Sequence, residues 1–265
     1  MNILITGAST GIGLSCAKYF AIKGEFVIAG VRKHEDFTKF ENHPNIHPII
    51  LDVTNPTHIA NAVDYIKQNQ IKLDILINNA GIAVLGPLVE LSESDLMLQF
   101  DVNVLGVFRI TKALYPFILK SKGRIVNIGS TSGLHAYPFE GPYAMSKHAI
   151  EAFSDSLRRE LMPFGIKVIL IEPSKVKTDI WNKTEATFKK LEQSEFREKA
   201  ERLLKKSLND NQTKGLEPEA VAREIYSIIK KTDPNPRYVI SKHKLLSWIT
   251  NIIPDRWLDS VIRKI

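Results

Sequence analysis

A glycine-rich turn near the start of the chain restricts the fold more than any other feature of the sequence. Residues 3–6 form a short apolar run that passes directly into Gly7-Ala8-Ser9-Thr10-Gly11-Ile12-Gly13, and apolar residues then recur at helical spacing over 14–21. This order predicts a strand, a tight turn and a helix. Glycines in such a turn let the backbone approach a pyrophosphate, whose charge lies at the positive end of the helix. The spacing, Gly-x3-Gly-x-Gly, differs from the common dinucleotide fingerprint, so a turn without a ligand is the alternative.

Apolar strands and amphipathic helices alternate along the rest of the 265-residue chain. This alternation implies right-handed crossovers and a parallel sheet covered on both faces. The predicted fold class is therefore α/β, a single doubly wound domain over 1–265 with about seven strands. We predict strands near 2–6, 26–31, 47–51, 74–78, 124–129, 167–172 and 237–240, and helices over 11–23, 57–69, 94–120, 143–163 and 218–231.

Tyr143 and Lys147 are a candidate proton-transfer pair. They lie four residues apart in a segment with helical periodicity, so both side chains project from one helix face about one turn apart. A free tyrosine has a pKa of about 10, and a neighbouring ammonium favours the phenolate. We therefore expect Lys147 to lower the pKa of Tyr143 and to make the phenol useful in acid–base chemistry. Taken alone, such a pair is more often a solvated helix edge.

Five ordered motifs together resemble the short-chain dehydrogenase/reductase family. They are residues 6–13, Asn78-Asn79-Ala80-Gly81, Asn103, Ser130 and Tyr143-x3-Lys147, in the family's order and spacing from residue 3 to about residue 240. Residues 141–143 and 151–173 are similar to the branch that contains retinol, hydroxysteroid and 3-hydroxybutyrate dehydrogenases. The resemblance implies a Rossmann-type fold and hydride transfer between a nicotinamide cofactor and a carbonyl or alcohol.

The resemblance also implies roles for four residues. Tyr143 would give a proton to a carbonyl oxygen or take one from an alcohol, while Ser130 would orient that oxygen through a hydrogen bond. Lys147 would hydrogen-bond the nicotinamide ribose besides lowering the pKa of the phenol. Asn103 would hold a water that links Lys147 to solvent. Thr131 and Ser132, which directly follow Ser130, also carry hydroxyl groups and are alternatives to Ser130 for this role.

The implied cofactor is NADP(H), with NAD(H) as the alternative. The end of the second predicted strand carries Arg32 and Lys33 and no acidic residue for a ribose 2′-hydroxyl, and cations suit a 2′-phosphate. Asp52 is equally a turn or capping residue, and Asn79 is equally a tie between strand ends. The cofactor contacts implied by the resemblance are Gly7, Ser9, Thr10, Gly11, Ile12, Gly13, Arg32, Asp52, Val53, Asn79, Ala80, Gly81, Tyr143, Lys147, Pro173, Val176 and Thr178.

Two C-terminal segments are predicted to lie around the substrate. Residues 174–216 are rich in Lys and Glu and contain sparse apolar residues, which predicts a mobile helical lid over the substrate with a solvated charged face. Ser174 stands where the family usually has glycine. The tail over about 242–265 predicts two short amphipathic helices broken by Pro254. We favour packing of the tail over the pocket or a partner subunit, with peripheral membrane contact as the alternative.

Composition and charge bear on disulfides, location in the cell, nucleic-acid partners and metal sites. The single cysteine allows no internal disulfide, and without a signal peptide or an apolar run of roughly 18 residues we expect a cytoplasmic protein. The net charge of +7 comes with no nucleic-acid-binding motif, so we expect no nucleic-acid partner. His43 and His47 are separated by Pro44 and cannot form the same-face helical pair of a zinc site, so no metal is expected.

The sequence thus predicts an NADP(H)-dependent oxidoreductase for a bulky apolar carbonyl or alcohol, such as a steroid, a retinoid or a lipid-like molecule. The resemblance implies a homodimer or a homotetramer. One alternative is a 3-oxoacyl-thioester reductase, whose acidic carrier protein a basic surface would attract. The other is a non-catalytic NADP-sensing protein, which would usually lack Tyr143 or Lys147, and both residues are present.

Overall fold

One seven-stranded parallel sheet forms the centre of the chain. The computed structural model describes residues 1–181, 188, 189, 191–242, 256, 257, 259 and 260. The strands are β1 (Asn2–Thr6), β2 (Phe26–Val31), β3 (Ile46–Ile50), β4 (Ile75–Asn78), β5 (Arg124–Ile128), β6 (Lys167–Pro173) and β7 (Arg237–Ile240). Their order in the sheet is β3-β2-β1-β4-β5-β6-β7, so the winding direction reverses between β1 and β4. The predicted doubly wound α/β fold is confirmed.

Helices cover both faces of this sheet. They are α1 (Gly11–Ile22), α2 (Pro56–Gln68), α3 (Glu93–Phe100), α4 (Gly106–Ser121), α5 (Gly141–Leu161), α6 (Arg197–Lys214) and α7 (Pro218–Ile229). Side chains alternate across a strand, so Ile3 and Ile5 of β1 pack in the core layer with α1 and α7, while Leu4 packs with α2 and α4. All three are fully buried, and each contributes roughly 1.5–3 kcal/mol by leaving water.

The single helix predicted over 94–120 is interrupted. A π-helical turn over Asp101–Leu105 separates α3 from α4, and the Gly106 N–H donates to the Asp101 carbonyl. A π-turn inserts one residue into the helix and changes which side chains face inward, and such turns are frequent at functional sites. The turn contains Asn103, which is buried.

The helical stretch Glu93–Ser121 is the one described segment that is long and apolar enough to cross a membrane by length and composition. In the fold it lies against the sheet instead. Its side chains Ile110, Leu114 and Ile118 are fully buried in the core layer that also contains Leu4. The stretch is therefore a core helix of the doubly wound fold.

Parts of the two predicted C-terminal segments lie outside the described residues. The predicted lid over 174–216 is described except for 182–187 and 190, and α6 supplies 18 of its residues. The two helices predicted for the tail over 242–265 lie outside the described part of the chain, apart from 242, 256, 257, 259 and 260. Their packing and the homo-oligomer stay predictions.

A buried chain of polar side chains ties the two central strands to the helices on one face. Asn78 Nδ2 donates to Thr111 Oγ1 at 3.0 Å and to Asn127 Oδ1 at 2.8 Å, which links β4 to α4 and β5. Asn127 Nδ2 donates in turn to Ser154 Oγ of α5 at 2.8 Å. Because buried polar groups are costly without partners, these bonds favour one alignment of α4 and α5 on the sheet.

Two carboxyls that are largely shielded from water form a cluster with one exposed guanidinium beside the last strand. Glu172 of β6 is fully buried, and Arg237 of β7 places Nη2 2.8 Å from Glu151 Oε2 of α5 and Nε 3.6 Å from Glu172 Oε1. Burial and the neighbouring Glu172 raise the pKa of Glu151 to about 8, although Arg237 opposes the shift. Burial also raises the pKa of Glu172. The pair therefore retains a proton near neutral pH.

Replacing Glu151 with Gln should flatten the pH dependence of stability. The ordinary pKa of Glu151 is 4.5 and its folded-state value is about 8, so the folded chain holds a proton that the unfolded chain releases within this window. This carboxyl favours folding fully below the window, and its contribution is lost as the pH rises through it. The full pKa shift would correspond to about 5 kcal/mol, and solvent screening of this incompletely buried carboxyl reduces that figure. In urea unfolding we therefore expect the wild-type free energy of unfolding to fall by roughly 2 kcal/mol across the window, and Glu151→Gln to remove most of that loss.

The matched control is Glu160→Gln, which changes an exposed carboxyl on the same helix. It should keep the wild-type pH profile. If Glu151→Gln also keeps that profile, the protonated buried pair is contradicted.

Candidate active site

A cavity of about 1010 Å³ lies along the carboxyl ends of the strands. In open parallel sheets ligands bind at this edge, where the winding direction reverses. The turn after β1, the residues after β4, the loop after β5 and the end of β6 all contribute to its walls. The structure places every predicted site residue except Gly13 and Asn103 in the lining of this cavity.

The glycine turn between β1 and α1 lies so close to the end of β4 that a side chain has no room at Gly13. A Cβ on Gly13 would lie 2.4 Å from both Asn79 Nδ2 and the Gly7 carbonyl oxygen. Gly7 and Gly11 have φ angles of 65° and 55°, which glycine adopts without strain. The helix N-cap, Thr10, makes no side-chain capping bond, and the first turn of α1 contains no acidic residue. This N-terminus therefore fits a pyrophosphate.

Asn79 ties the end of β4 to the end of β1 and also lines the cavity. Its Nδ2 donates to the carbonyl oxygens of Thr6 and Gly7 at 2.9 and 3.0 Å. Thr6 Oγ1 also accepts hydrogen bonds from the backbone N–H groups of Asn79 and Ala80, both at 3.0 Å. Both roles considered for Asn79, the structural tie and the cavity wall, are thus present in the structure.

The cations at the end of β2 face different partners. Lys33 pairs with Glu35 at 2.9 Å, whereas Arg32 is exposed and lines the cavity. Asp52 also lines the cavity, and its Oδ1 accepts the Thr54 N–H at 2.9 Å and the Thr54 hydroxyl at 2.7 Å. These hydrogen bonds show that Asp52 stabilises a turn, which is one of the roles considered for it. A contact between Asp52 and the cofactor stays a prediction.

Ser130, Tyr143 and Lys147 converge on one wall of the cavity. Tyr143 and Lys147 are 6% and 7% exposed, and the side chains of Tyr143 and Ser130 are hydrogen-bonded. Lys147 Nζ lies 5.6 Å from the centre of the Tyr143 ring and donates to the Ile128 carbonyl at 2.8 Å. Ser130 Oγ also accepts the Ser132 N–H at 3.1 Å, which orients the hydroxyl. A phenol, a hydroxyl and an amine thus meet where a substrate oxygen could bind.

Burial controls the ionisation of this pair more strongly than the charge of Lys147 does. Burial raises the pKa of Tyr143 to about 12, with the hydrogen bond to Ser130 opposing and the charge of Glu140 adding to the shift. Burial likewise lowers the pKa of Lys147 to about 8. Burial thus opposes the lowering of the Tyr143 pKa that is expected from Lys147, and the spacing of the pair does not show how completely water is excluded. The effect of Lys147 itself stays a prediction.

Asn103 pins the loop that follows β4. Its Oδ1 accepts the Ile82 N–H at 2.9 Å, and its Nδ2 donates to the Ile82 carbonyl at 3.0 Å and to Ser146 Oγ at 3.1 Å. Both amide protons are therefore engaged, and a water held by this residue would need another of its polar atoms. The relay role stays a prediction.

Sequence reasoning missed two side chains that complete this network. Gln99 is fully buried; its Oε1 accepts the Val84 N–H at 2.7 Å, and its Nε2 donates to the Ile82 carbonyl at 3.0 Å. Ser146, which directly precedes Lys147, accepts hydrogen bonds through its Oγ from the side-chain amides of Gln99 and Asn103. The available signal was the placement of Gln99 four residues before Asn103 within one helical pattern.

Sequence reasoning also missed Lys39. Its Nζ donates to the Ser9 carbonyl at 3.0 Å and pairs with Asp36 at 2.6 Å, so it holds the glycine turn from the segment after β2. No local pattern predicts this contact, since 30 residues separate the two partners.

The loop after β6 closes over the glycine turn. The Thr178 methyl group lies 3.0 Å from the position of a Cβ on Gly11, and Val176 forms a parallel bridge with Leu216. Ser174, which replaces the family's usual glycine, does not have a positive φ, and its N–H donates to the Ile240 carbonyl at 2.9 Å. The substitution is therefore compatible with the backbone at this point.

Helix α6 forms the outer wall of the cavity, as expected of the predicted lid. Leu203 and Leu204 line the cavity, whereas Leu191 is buried and Phe196 is largely exposed. Glu201 pairs with Arg197 and Lys205 of the same helix, and these two basic residues are exposed, which agrees with the predicted solvated face. The mobility of the lid stays a prediction.

Comparisons with known proteins agree with this geometry. The family model described as short chain dehydrogenase matches residues 1–189, which include the glycine turn and the Tyr143-Lys147 pair. An NADPH-dependent 3-dehydrocapnine reductase from Ornithobacterium rhinotracheale is 36% identical over 271 residues, covering 98% of this chain and 95% of the relative. A 3-ketodihydrosphingosine reductase from Bacteroides thetaiotaomicron is 30% identical over 268 residues, covering 98% and 96%. The solved closed form of serine dehydrogenase complexed with NADP+ is 26% identical with a TM-score of 0.77, covering 91% and 94%.

Replacing Asn103 with Ala should destabilise the chain. The change leaves the Ile82 N–H without its side-chain partner and removes one of the two amide donors to the Ile82 carbonyl, and an unsatisfied buried polar group costs about 1–3 kcal/mol. We expect the free energy of unfolding, measured by urea denaturation, to fall by about 2 kcal/mol or more. The control is Asn69→Ala, which removes an exposed amide bonded only to the Tyr65 carbonyl and should cost less than about 0.5 kcal/mol. Equal stability of the two variants would contradict the pinning role.

Proposed function

Because this chain belongs to the short-chain dehydrogenase/reductase family of oxidoreductases that act on CH–OH groups, we propose that it is an NADP(H)-dependent ketone reductase with a bulky apolar, lipid-like substrate. The observation that carries the proposal is the buried Tyr143 phenol, hydrogen-bonded to Ser130 and flanked by the Lys147 amine. These three groups line the same cavity as the glycine turn.

Each of the three side chains has a task in this proposal. Ser130 donates a hydrogen bond to the substrate carbonyl oxygen and stabilises the negative charge that develops there. Tyr143 donates the proton that completes the alcohol. Lys147, held by the Ile128 carbonyl, places its positive charge beside the phenol and favours the phenolate that remains after proton transfer.

The ionisation of Tyr143 agrees with the direction of reduction. Burial raises the pKa of Tyr143 to about 12, so the phenol carries its proton at neutral pH and can act as an acid. Alcohol oxidation would need the phenolate, which burial disfavours.

The chain's own residues support NADP(H) as the cofactor. Bound NADPH supplies the hydride. The amide groups of the glycine turn and α1 would hold its pyrophosphate, and Arg32 would pair with its 2′-phosphate, since Lys33 is already paired with Glu35. A relative named as NADPH-dependent and a structure solved with NADP+ support the same choice.

The cavity wall supports an apolar substrate. The cavity of about 1010 Å³ extends from the glycine turn and Arg32 to α6, and apolar side chains from five segments face it. The names of two relatives, a 3-dehydrocapnine reductase and a 3-ketodihydrosphingosine reductase, point to a lipid-like ketone rather than to a small one. The apolar lining residues are Ile82, Ala83, Leu98, Val102, Leu134, Ile180, Leu203 and Leu204.

Replacing Tyr143 with Phe should abolish ketone reduction without loss of cofactor binding. The change removes the proton donor and keeps the ring, so kcat should fall about 100-fold or more. The assay follows NADPH absorbance with long-chain ketones, steroids, retinoids and 3-oxoacyl thioesters, and NADPH fluorescence reports binding. The control is Tyr137→Phe, which changes a half-exposed phenol in the same cavity and should retain most of the activity. Activity that survives Tyr143→Phe would refute the proposed acid.

Replacing Arg32 with Asp should reverse the cofactor preference. An aspartate repels a 2′-phosphate and can accept a ribose hydroxyl, so KM for NADPH should rise about tenfold or more while KM for NADH changes little. Lys33→Ala is the matched control, because Lys33 faces Glu35 and should affect neither cofactor strongly. Equal effects of Arg32→Asp on both cofactors would remove the assignment.

A further inference from the structure

A buried carboxyl in the cavity wall has no role in the chemistry described so far. Glu140 is the N-cap of α5 and is 8% exposed, and its side chain lines the cavity together with Tyr143 and Ser130. It lies three residues before Tyr143, and its charge raises the pKa of both Tyr143 and Tyr137. The carboxyl is therefore in electrostatic range of the reacting group.

The protein itself supplies little to balance this carboxyl. Within the described part of the chain, the Glu140 side chain accepts one hydrogen bond, from Ser207 Oγ of α6 at 2.9 Å, and takes part in no salt bridge. Lys175 is near enough to lower the pKa of Glu140 but pairs with Asp210 at 2.7 Å. Asp210 in turn also pairs with Lys214 at 2.6 Å. The nearby cations are thus engaged with another acid.

A cation that enters the cavity would find a strong partner here. Burial without a paired cation disfavours the ionised form of a carboxyl, and burial does raise the pKa of Glu140. A positive group placed beside this buried carboxyl would be held more strongly than at an exposed site, because the local dielectric constant is lower there.

We propose that Glu140 binds a protonated amine of the substrate, so that the preferred substrates are amino ketones with an apolar chain. This inference rests on the proposed ketone reductase function. N-cap and N3 side chains lie on the same side of a helix terminus, about one turn apart. The amine would therefore be carried close to the carbonyl that Tyr143 protonates, with the apolar chain along the Leu98 and Leu134 side of the cavity.

The competing explanation is purely structural. Glu140 could serve only to tie α5 to α6 through Ser207. In that case its loss would loosen the lid and affect charged and neutral substrates alike. A charge-recognition role instead predicts an effect that depends on the substrate's amine.

The test compares two ketones in three proteins: wild type, Glu140→Gln and Ser207→Ala. The ketones are a twelve-carbon α-amino ketone and the α-hydroxy ketone of the same chain, assayed with NADPH near neutral pH, where the amine is protonated and the raised pKa of Glu140 still permits an ionised carboxyl. Wild type should favour the amino ketone in kcat/KM by about tenfold or more. Glu140→Gln, which keeps the shape and can still accept from Ser207, should lose that preference. Ser207→Ala, which keeps the carboxylate, should retain it.

A binding measurement separates this inference from the proposed function. Calorimetry with the NADP+-loaded protein compares dodecylamine with dodecanol, which requires no turnover. Wild type should bind the amine about tenfold more tightly or better, and Glu140→Gln should bind both about equally. If wild type reduces neither ketone yet prefers the amine, the reductase proposal fails and the amine site stands. The amine site is overturned if wild type shows no preference for the amine. It is also overturned if Glu140→Gln and Ser207→Ala both weaken the binding of the amine and of the alcohol by the same factor.

Discussion

The crevice in this protein depends on the close approach of the glycine turn to the end of β4. Gly13 lies so near the Asn79 amide and the Gly7 carbonyl that a methyl group in its place would overlap both. Four hydrogen bonds then join the two strand ends, and all four are donated by Asn79 and Ala80 to oxygen atoms of Thr6 and Gly7. Because β1 and β4 are the strands between which the winding reverses, this junction sets the floor of the cavity. Every other site residue is positioned relative to that floor.

Four ionisable side chains lie along one face of α5, beside this junction. Glu140, Tyr143, Lys147 and Glu151 follow one another at spacings of three, four and four residues, which places them in a row along the helix. Burial acts on all four in the same sense, because it disfavours the charged form of each: the pKa rises for the acids and the phenol and falls for the amine. The phenol consequently keeps its proton, which is the form that a reductase needs.

The parts of the fold that follow from local patterns could be predicted from the sequence. The strands of a parallel sheet are buried on both faces, so β1, β2 and β6 are continuous apolar runs whose bounds were predicted to within a residue or two. The π-helical turn at Asp101–Leu105 was not predictable in this way, since its extra residue leaves the apolar pattern almost unchanged. Gln99 and Glu140 were missed for a related reason: their partners, Val84 and Ser207, lie on other elements.

The sequence by itself determined the order of strands and helices, the glycine turn and the placement of Tyr143 and Lys147 on one helix face. It did so because backbone propensity and side-chain period act over a few residues. The tertiary structure alone decided which charges are buried and which partner each one meets: Lys33 faces Glu35 while Arg32 faces the cavity, and the pKa of Tyr143 rises where the spacing suggested a fall. The physical reason is that exclusion of water and pairing of charges depend on groups far apart in the chain, which meet only when the sheet and its helices have packed.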